Sequence, residues 1–470
     1  MMTRPEMVAW GTALVFLLPG ITVIVANWIG IFGAMRHARD GQPQGFSPVP
    51  FFGGGLAAIG IANAPIEPMT GWFWVPLVLD PGTGPTAAIL LFAAIRASVT
   101  GWFARRRRVA DTRAISESGT LGRALVGAML GTAVGDALGL ACEGLSPRRQ
   151  LKMFPSLDRY GLLFGTGMIS DDTEHTVMVA QALIESGGDE AHFARDFAWR
   201  LKGWLLALPA GVGMATGRAI LKLWLFIPPR WSGVRSAGNG PAMRAAVVGV
   251  AYGDDPGKLA ALNRISARIT HRDDRAEHGA LTVAIAAHLS ATHAAPLMAE
   301  EFVQAMAARL PPDSATMASI RGVAASLASG EPAAAFVAGL GSKNGVSGYM
   351  LHTLPAVLHV WLRHQDDFIG GVVEMIRLGG DSDSTAAILG GILGARVGRE
   401  GIPPHLLTNL RDWPRSTRMI EKVAQRLAHA RLAKTRMREV RSFVFAAPLR
   451  NLFFLALVLA HGFRRLLPPY

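Results

Sequence analysis

From residue 7 to residue 35 the chain carries no charged side chain, a run of 29 positions. About 20 apolar residues suffice to cross a bilayer, so this stretch is long enough to span one. A cleaved export signal has a shorter apolar centre and a small-residue cleavage site; a membrane span is the better reading. A second uncharged stretch, 47–66, is rich in glycine. A third is interrupted by Asp80, Pro81 and Arg96, and is best cut at 85–103. The first intervening loop carries Arg36 and Arg39, the second carries no lysine or arginine, and Arg105 to Arg108 follow the third stretch. The positive-inside rule then predicts three spans with the N-terminus outside, and places everything after Arg108 in the cytoplasm of a bacterial-type inner membrane. A single span followed by a re-entrant hairpin puts the rest of the chain on the same side.

After residue 110 the texture changes. Residues 111–119 read as a polar linker and 120–430 as a second domain, rich in alanine and leucine. Segments such as HTVMVAQALIE and GYMLHTLPAVLHVWLR place apolar residues at three- and four-residue spacing, which predicts helix rather than strand. Joints rich in glycine and proline, such as LPAGVG, separate them. The expected fold class is all-α, a helical domain preceded by a transmembrane helical region. The last segment, 431–470, combines a basic helix end with the apolar run LFFLALVLA, bracketed by Arg441, Arg450, Arg464 and Arg465. That run is too short to span alone. It reads either as an interfacial helix on anionic lipid or as a helix docked on the protein. Much of the net charge of +13 lies here. No zinc spacing or groove-reading motif accompanies it, so nucleic acid is not an expected partner. The one cysteine, Cys142, excludes an internal disulfide.

Two acidic clusters carry the chemistry. Ser170, Asp171, Asp172 and Thr173 precede one apolar helix; Asp381, Ser382, Asp383 and Ser384 precede another. Serine and aspartate are favoured N-caps, and acids suit the positive end of a helix, so capping accounts for either cluster alone. A matched pair points further, because hard divalent cations take oxygen ligands and crowded carboxylates need a cation or a proton between them. Other conspicuous residues are Asp136 and Glu143 in a small-residue context, Asn239 between two glycines, Met243 and Arg244, Thr270 and His271, and Ser347, Gly348 and Tyr349 before a helix.

In this order and spacing the segments resemble the ADP-ribosylglycohydrolase family, typified by the dinitrogenase-reductase-activating glycohydrolase. Gly135 to Gly139 with Glu143, Ser170 to Thr173, Gly238 to Gly240 with Met243 and Arg244, Thr270–His271, Ser347 to Tyr349 and Gly379 to Ser384 carry the resemblance. It implies a centre of two Mg²⁺ ions, or Mn²⁺, held by Ser170, Asp171, Asp172, Asp381, Asp383 and Ser384. It implies that Glu143, with Asp172, is catalytic, with Glu143 at the metal-bound water or at the scissile end of the substrate. Asn239, Gly240, His271, Ser347, Gly348 and Tyr349 would line an ADP-ribose cleft, and Arg244 would support the diphosphate or form a structural salt bridge. Ser170 and Ser384 stand where threonine is usual and keep the ligand oxygen. Asp274 stands where proline is common, which would alter a cleft loop. The implied activity is metal-dependent hydrolysis of ADP-ribose from modified protein side chains, with protection against an ADP-ribosylating toxin as a specific role. The alternative is an inactive, membrane-bound protein that binds ADP-ribose or a toxin.

Overall fold

The computed structural model describes residues 4–39, 52–65, 72–80, 119–341, 344–440 and 446–468. They belong to two units, Met1–Ala110 and Asp111–Tyr470. The expected third span, 85–103, lies outside the described residues.

In the first unit the long uncharged run forms helix α1, Arg4–Arg39, and the glycine-rich stretch forms the shorter α2, Phe52–Ala62. Glycines let the two pack closely. A Cβ at Gly20 would lie 2.3 Å from the Ala57 backbone nitrogen, and one at Gly60 would lie 2.7 Å from Leu17. Small residues at the contact are the usual device for joining apolar helices that gain nothing from lipid contact. The 11 residues of α2 span only about 16 Å at the helical rise, too short to cross a bilayer alone. They form one arm of a hairpin instead. A short helix α3, Val75–Leu79, ends at the buried Asp80. The Asp80 carboxylate accepts from Asn27 Nδ2 at 3.0 Å and from the Gly54 backbone N–H at 2.9 Å. Outward, α1 presents Val15, Leu18, Val25 and Ile29 as exposed apolar side chains.

The second unit is all-α: among the described residues it has isolated β-bridges but no strand. Its centre is a pair of helices, α4 at Gly119–Gly139 and, far along the chain, Ser382–Val397. Between them in sequence come α5 (Asp171–Ser186), α6 (Glu190–Leu206), α7 (Met214–Trp224), α8 (Asp274–Thr292) and α9 (Met350–Arg363), with shorter helices interspersed; Ser382–Val397 is α10. After it come α11 (Thr417–Leu432) and α12 (Ala446–Arg464).

Helices α4 and α10 touch backbone to backbone. A small residue recurs every fourth position on each, and the pairs run antiparallel: Gly127 with Gly394, Gly131 with Gly390, Gly135 with Ala386, Gly139 with Ser382. A Cβ on Gly131 would sit 2.1 Å from the Gly390 carbonyl oxygen, and one on Gly135 would sit 2.1 Å from that of Ala386. The Ser382 hydroxyl closes the seam by donating to the Gly139 carbonyl at 2.9 Å. One consequence decides the site: the C-terminal end of α4 and the N-terminal end of α10 meet at the same place.

Within residues 431–470, expected on lipid or docked on protein, the described helix α12 has one face docked. Arg450, Asn451 and Phe454 of α12 are buried. Its other side leaves Leu449, Leu452, Phe453 and Phe463 exposed.

Candidate active site

Three loops are laced together at the mouth of the α4–α10 pair. Gly379 and Gly380 both hold positive φ, 77° and 80°, a region that only glycine enters freely. Gly380 exchanges backbone hydrogen bonds with the 144–145 loop: the Gly144 N–H donates to its carbonyl at 2.6 Å, and its own N–H donates to the Leu145 carbonyl at 3.1 Å. On the other side the Asp381 N–H donates to the Val346 carbonyl at 2.7 Å. A Cβ on Gly380 would lie 2.0 Å from that same carbonyl oxygen. This lacing sets Glu143 beside Asp381 and Asp383, and oxygen atoms of the three carboxylates lie within 4.8 Å of one another.

The second acidic cluster arrives on α5. Ser170 is its N-cap: its hydroxyl accepts from the Asp172 N–H and donates to Asp172 Oδ2 at 3.1 Å. From α10, the Ser384 hydroxyl donates to the same Asp172 Oδ2, also at 3.1 Å. Residues separated by 212 positions therefore meet on one carboxylate oxygen. The capping explanation holds for Ser170 but not for Asp381, which stands at the N-cap of α10 and makes no side-chain cap bond. Asp172 Oδ1 and Asp383 Oδ1 are buried with no hydrogen-bond partner. Orphaned carboxylate oxygens in an all-oxygen donor set are what a hard divalent cation would satisfy.

The electrostatics agree. Burial first, then the Asp171 charge, holds the Asp172 carboxyl well above the usual range. Burial, with Glu143 and Asp381, does the same to Asp383. Burial, then Asp136, Glu174 and Glu143, raises Asp171, and burial raises Asp381 against the lowering effect of its Asn239 bond. Glu143 reaches the solvent of the cleft, but protein crowds its carboxyl; that desolvation, reinforced by Asp381, pushes it up to about 7.

Above the carboxylates lies a cavity of about 310 Å³, within the range of roughly 300–1,000 Å³ common for small-ligand clefts. Glu143, Asp171, Asp381 and Asp383 supply its acidic lining; Asn239, Gly240 and His271 line it as well. Asn239 also reaches into the cluster, donating from Nδ2 to Asp381 Oδ2 at 2.7 Å. Gly238 and Gly240 flank the His271 ring so closely that a Cβ on Gly240 would lie 2.9 Å from its Cε1. Burial, then the Arg244 charge, pushes His271 down to about 3, so the ring is neutral near pH 7.

Ser347, Gly348 and Tyr349 do not line this cavity. The Ser347 hydroxyl pairs with His352 Nδ1 at 2.8 Å, and the Tyr349 phenol accepts from Arg275 at 2.9 Å. Gly348 instead backs Asp381 and Asn239, with its carbonyl accepting from the Asn239 N–H at 2.9 Å.

Arg244 is wholly buried and does not face the cleft, so a direct role in holding diphosphate is excluded. It does not form a salt bridge either. Its guanidinium donates to Ser266, to Thr270 Oγ1 at 2.7 Å and to His175 Nδ1 at 3.0 Å. Thr270 Oγ1 in turn lies 2.9 Å from His271 Nδ1, so Arg244 braces the histidine from behind. Asp274 occupies the first position of α8 after the N-cap Asp273. Proline is also at home there.

Sequence reasoning singled out Asp136 but assigned it no role. It is fully buried in α4 and accepts from the Ser170 N–H at 2.9 Å and from the Thr173 hydroxyl at 2.5 Å, holding the turn that presents Asp171 and Asp172. The LPAGVG segment, 208–213, read as a mere joint, adds Gly211 and Gly213 to the lining, and the start of α7 adds Met214 and Thr216. No local signal marks that part of the lining.

The fold and site together define a class: an all-α domain whose oxygen-only acidic centre sits at the base of a ligand-sized cleft. The ADP-ribosylglycohydrolase family model matches residues 117–436, and the chain belongs to that family. It is 31% identical over 315 residues to an uncharacterized protein of Archaeoglobus fulgidus, covering 65% of this chain and 97% of that one. It is 29% identical over 294 residues to the ADP-ribosyl-[dinitrogen reductase] glycohydrolase of Rhodospirillum rubrum, covering 61% and 89%. A solved structure described as an ADP-ribosylglycohydrolase-related protein complex superposes with a TM-score of 0.51 at 28% identity, over 66% of this chain and 98% of that one. Family relatives are hydrolases of ADP-ribosylated substrates.

Proposed function

We propose that this protein is a membrane-anchored, divalent-metal-dependent hydrolase that removes ADP-ribose from modified protein side chains on the cytoplasmic side. The observation that carries the reading is the meeting of Ser384 from α10 with Asp172 from α5, beside Glu143 at the base of the cleft. Ser170, Asp171, Asp172, Asp381, Asp383 and Ser384 would hold two Mg²⁺ ions, or Mn²⁺ in their place. Bound there, the cations supply positive charge that neutralises the carboxylates and Lewis acidity toward the hydroxyls of a ribose.

The remaining work falls to the chain. Asn239 and His271 orient the nucleotide sugar, with His271 neutral and held by Thr270 and Arg244. Glu143 opens onto the cleft and is placed to accept the proton of an attacking water. Water delivers hydroxide to the anomeric carbon. The bond from that carbon to the side-chain atom breaks, and the side-chain atom leaves with the electron pair and takes up a proton. Membrane anchoring is supported by the length and outward apolar face of α1 and by the arginines at 36, 39 and 105–108.

The test uses the full chain in detergent, with Mg²⁺ and proteins ADP-ribosylated on arginine or on serine. Free ADP-ribose should appear with at least one linkage and should fail to appear with chelator. Failure with every linkage at saturating metal overturns the proposal, and calorimetric binding of ADP-ribose without turnover would establish the inactive binder instead. A protective role follows if cells expressing the chain, but not its Asp171→Asn variant, survive an ADP-ribosylating toxin.

A further inference from the structure

Helix α12 lies beyond the residues matched by the family model, which end at 436. Together with the residue that follows it, it nevertheless touches two of the acidic segments of the site, the Glu143 loop and the turn before Ser170. Near its start, Arg450 is buried and forks onto Asp412, with Nε donating to Oδ1 at 3.1 Å and Nη2 donating to Oδ2. The same Nη2 donates to the Ile169 carbonyl at 2.5 Å, while Asp412 Oδ2 accepts from the Ile169 N–H at 3.1 Å. The peptide groups flanking Ile169 are thus held on both sides, one residue before Ser170. Immediately beyond the helix, Arg465 donates to the Glu143 carbonyl at 2.6 Å and to the Ala141 carbonyl at 3.0 Å. Between these grips Phe454 packs into a small apolar cluster with Leu140, Leu162 and Met168, residues that flank the same two loops. Asn451 adds a third contact, donating to the Ala207 carbonyl at 2.7 Å, just before the 211–216 wall of the cleft.

We infer that α12 is a clamp in which Arg450 and Arg465 are positioning residues, fixing the separation between the Glu143 loop and the Ser170–Asp172 turn. A helix that merely tied down a chain end would need only the apolar contact of Phe454. Here two guanidinium groups reach main-chain carbonyls of the two loops that bear the acidic groups, and one of those groups is buried. A planar fork fixes its acceptors in direction as well as distance. Displacement of a reacting group by about 1 Å is enough to cost up to roughly a hundredfold in rate.

The inference rests on the proposed hydrolase reading, so its test includes a readout that does not need turnover. Full-length wild type, Arg450→Met, Arg465→Met and Arg465→Lys are compared in detergent for kcat, KM, thermal midpoint, Mn²⁺ binding by calorimetry, and amide exchange at residues 141–145 and 169–173. Arg465→Met should lower kcat by about tenfold or more with little change in KM or thermal midpoint, and Arg465→Lys should recover part of that loss. Arg450→Met should weaken Mn²⁺ binding and speed exchange at 169–173. If Arg450→Met fails to fold, Arg465→Met carries the test through kcat and exchange at 141–145. Unchanged kcat, metal binding and exchange in folded variants overturn the clamp, as does activity that falls only in step with the folded fraction. If wild type shows no hydrolysis, the hydrolase reading fails separately, and metal binding and exchange still decide the clamp.

Discussion

Helices α1 and α4 look alike as sequences and end in different surroundings. Both are long, packed through glycines and apolar enough to cross a membrane; the spans Ala9–Ile29 and Gly119–Cys142 have mean hydropathies of 2.0 and 1.6. Yet an apolar 18-residue stretch of the first is 11% buried within the protein, and the corresponding stretch of the second is 100% buried. Around α4 the neighbouring helices, α10 above all, remove the apolar sides from solvent; among the described residues α1 packs on α2, meets Asp80 through Asn27, and keeps an outward stripe. An apolar helix is satisfied by lipid or by protein, and hydropathy does not tell which. The buried aspartates make the same contrast in polar form. Asp80 in the hairpin has both carboxylate oxygens hydrogen-bonded. Asp172 and Asp383 each keep one oxygen without a partner. The first arrangement is complete as it stands; the second leaves carboxylate oxygens of the kind a hard cation would satisfy.

The largest expected effect breaks that contrast directly. Asp172→Asn should cost more than about a hundredfold in ADP-ribose release, since even the outer partners of metal ligands are worth 10–100-fold. It should raise the thermal midpoint of the metal-free chain, because it removes one of several crowded carboxylates. Asp80→Asn should do the reverse, leaving kcat intact while loosening the hairpin. A rate assay and a melting curve on each variant suffice, and equal losses of activity would erase the distinction.

Next comes packing. Gly131→Val in α4 drives a side chain into the Gly390 backbone and should cost about 3 kcal/mol or more, enough to remove the folded domain. Gly11→Val in α1 meets nothing within 4 Å and should leave the denaturation midpoint where it was.

A smaller effect is read from pH. Folding holds the His271 pKa at about 3, below its ordinary 6.5. The unfolded chain therefore binds a proton that the folded chain refuses as pH drops below 6.5, and stability falls by up to roughly 1.4 kcal/mol per unit of pH through that window. His271→Gln should flatten this acid limb. The carboxylates act in the opposite sense: their raised values stabilise the metal-free fold at low pH and cost stability as pH rises. Stabilisation by added Mg²⁺ should therefore grow between pH 5 and pH 8, and a constant shift in melting temperature would count against a metal at these residues.

The smallest effect belongs to the outward face of α12. Phe453→Ser, at an exposed position, should change stability by less than about 0.5 kcal/mol, unlike any change at Arg450 or Phe454. Chemical denaturation of the full chain measures the difference.

Much of this was legible in the residues. Helical periodicity, the N-cap at Ser170 and the two acidic clusters are local features, set by neighbours within a turn or two of backbone. The all-α class, the metal-type oxygen donors and the family resemblance follow from them. Asn239 and His271 were legible through the glycines and hydroxyl beside them. Arg244 was misread because an arginine's sequence neighbours do not reveal whether its head reaches solvent; here Ser266, Thr270 and His175 enclose it. Asp136 was visible as an oddity, but its partners, Ser170 and Thr173, lie more than thirty residues away.

The order of small and apolar residues thus determined which segments coil and where carboxylates stand at helix mouths. Only the tertiary structure decided which mouths face each other: the fourth-residue seam between α4 and α10 sets Glu143 against Asp381, α5 brings Asp172 to Ser384, and α12 grips both loops. The physical reason is range. Hydrogen bonds within a helix close over four residues, whereas the oxygen cage closes over more than two hundred and exists only once the backbones of α4 and α10 lie in contact.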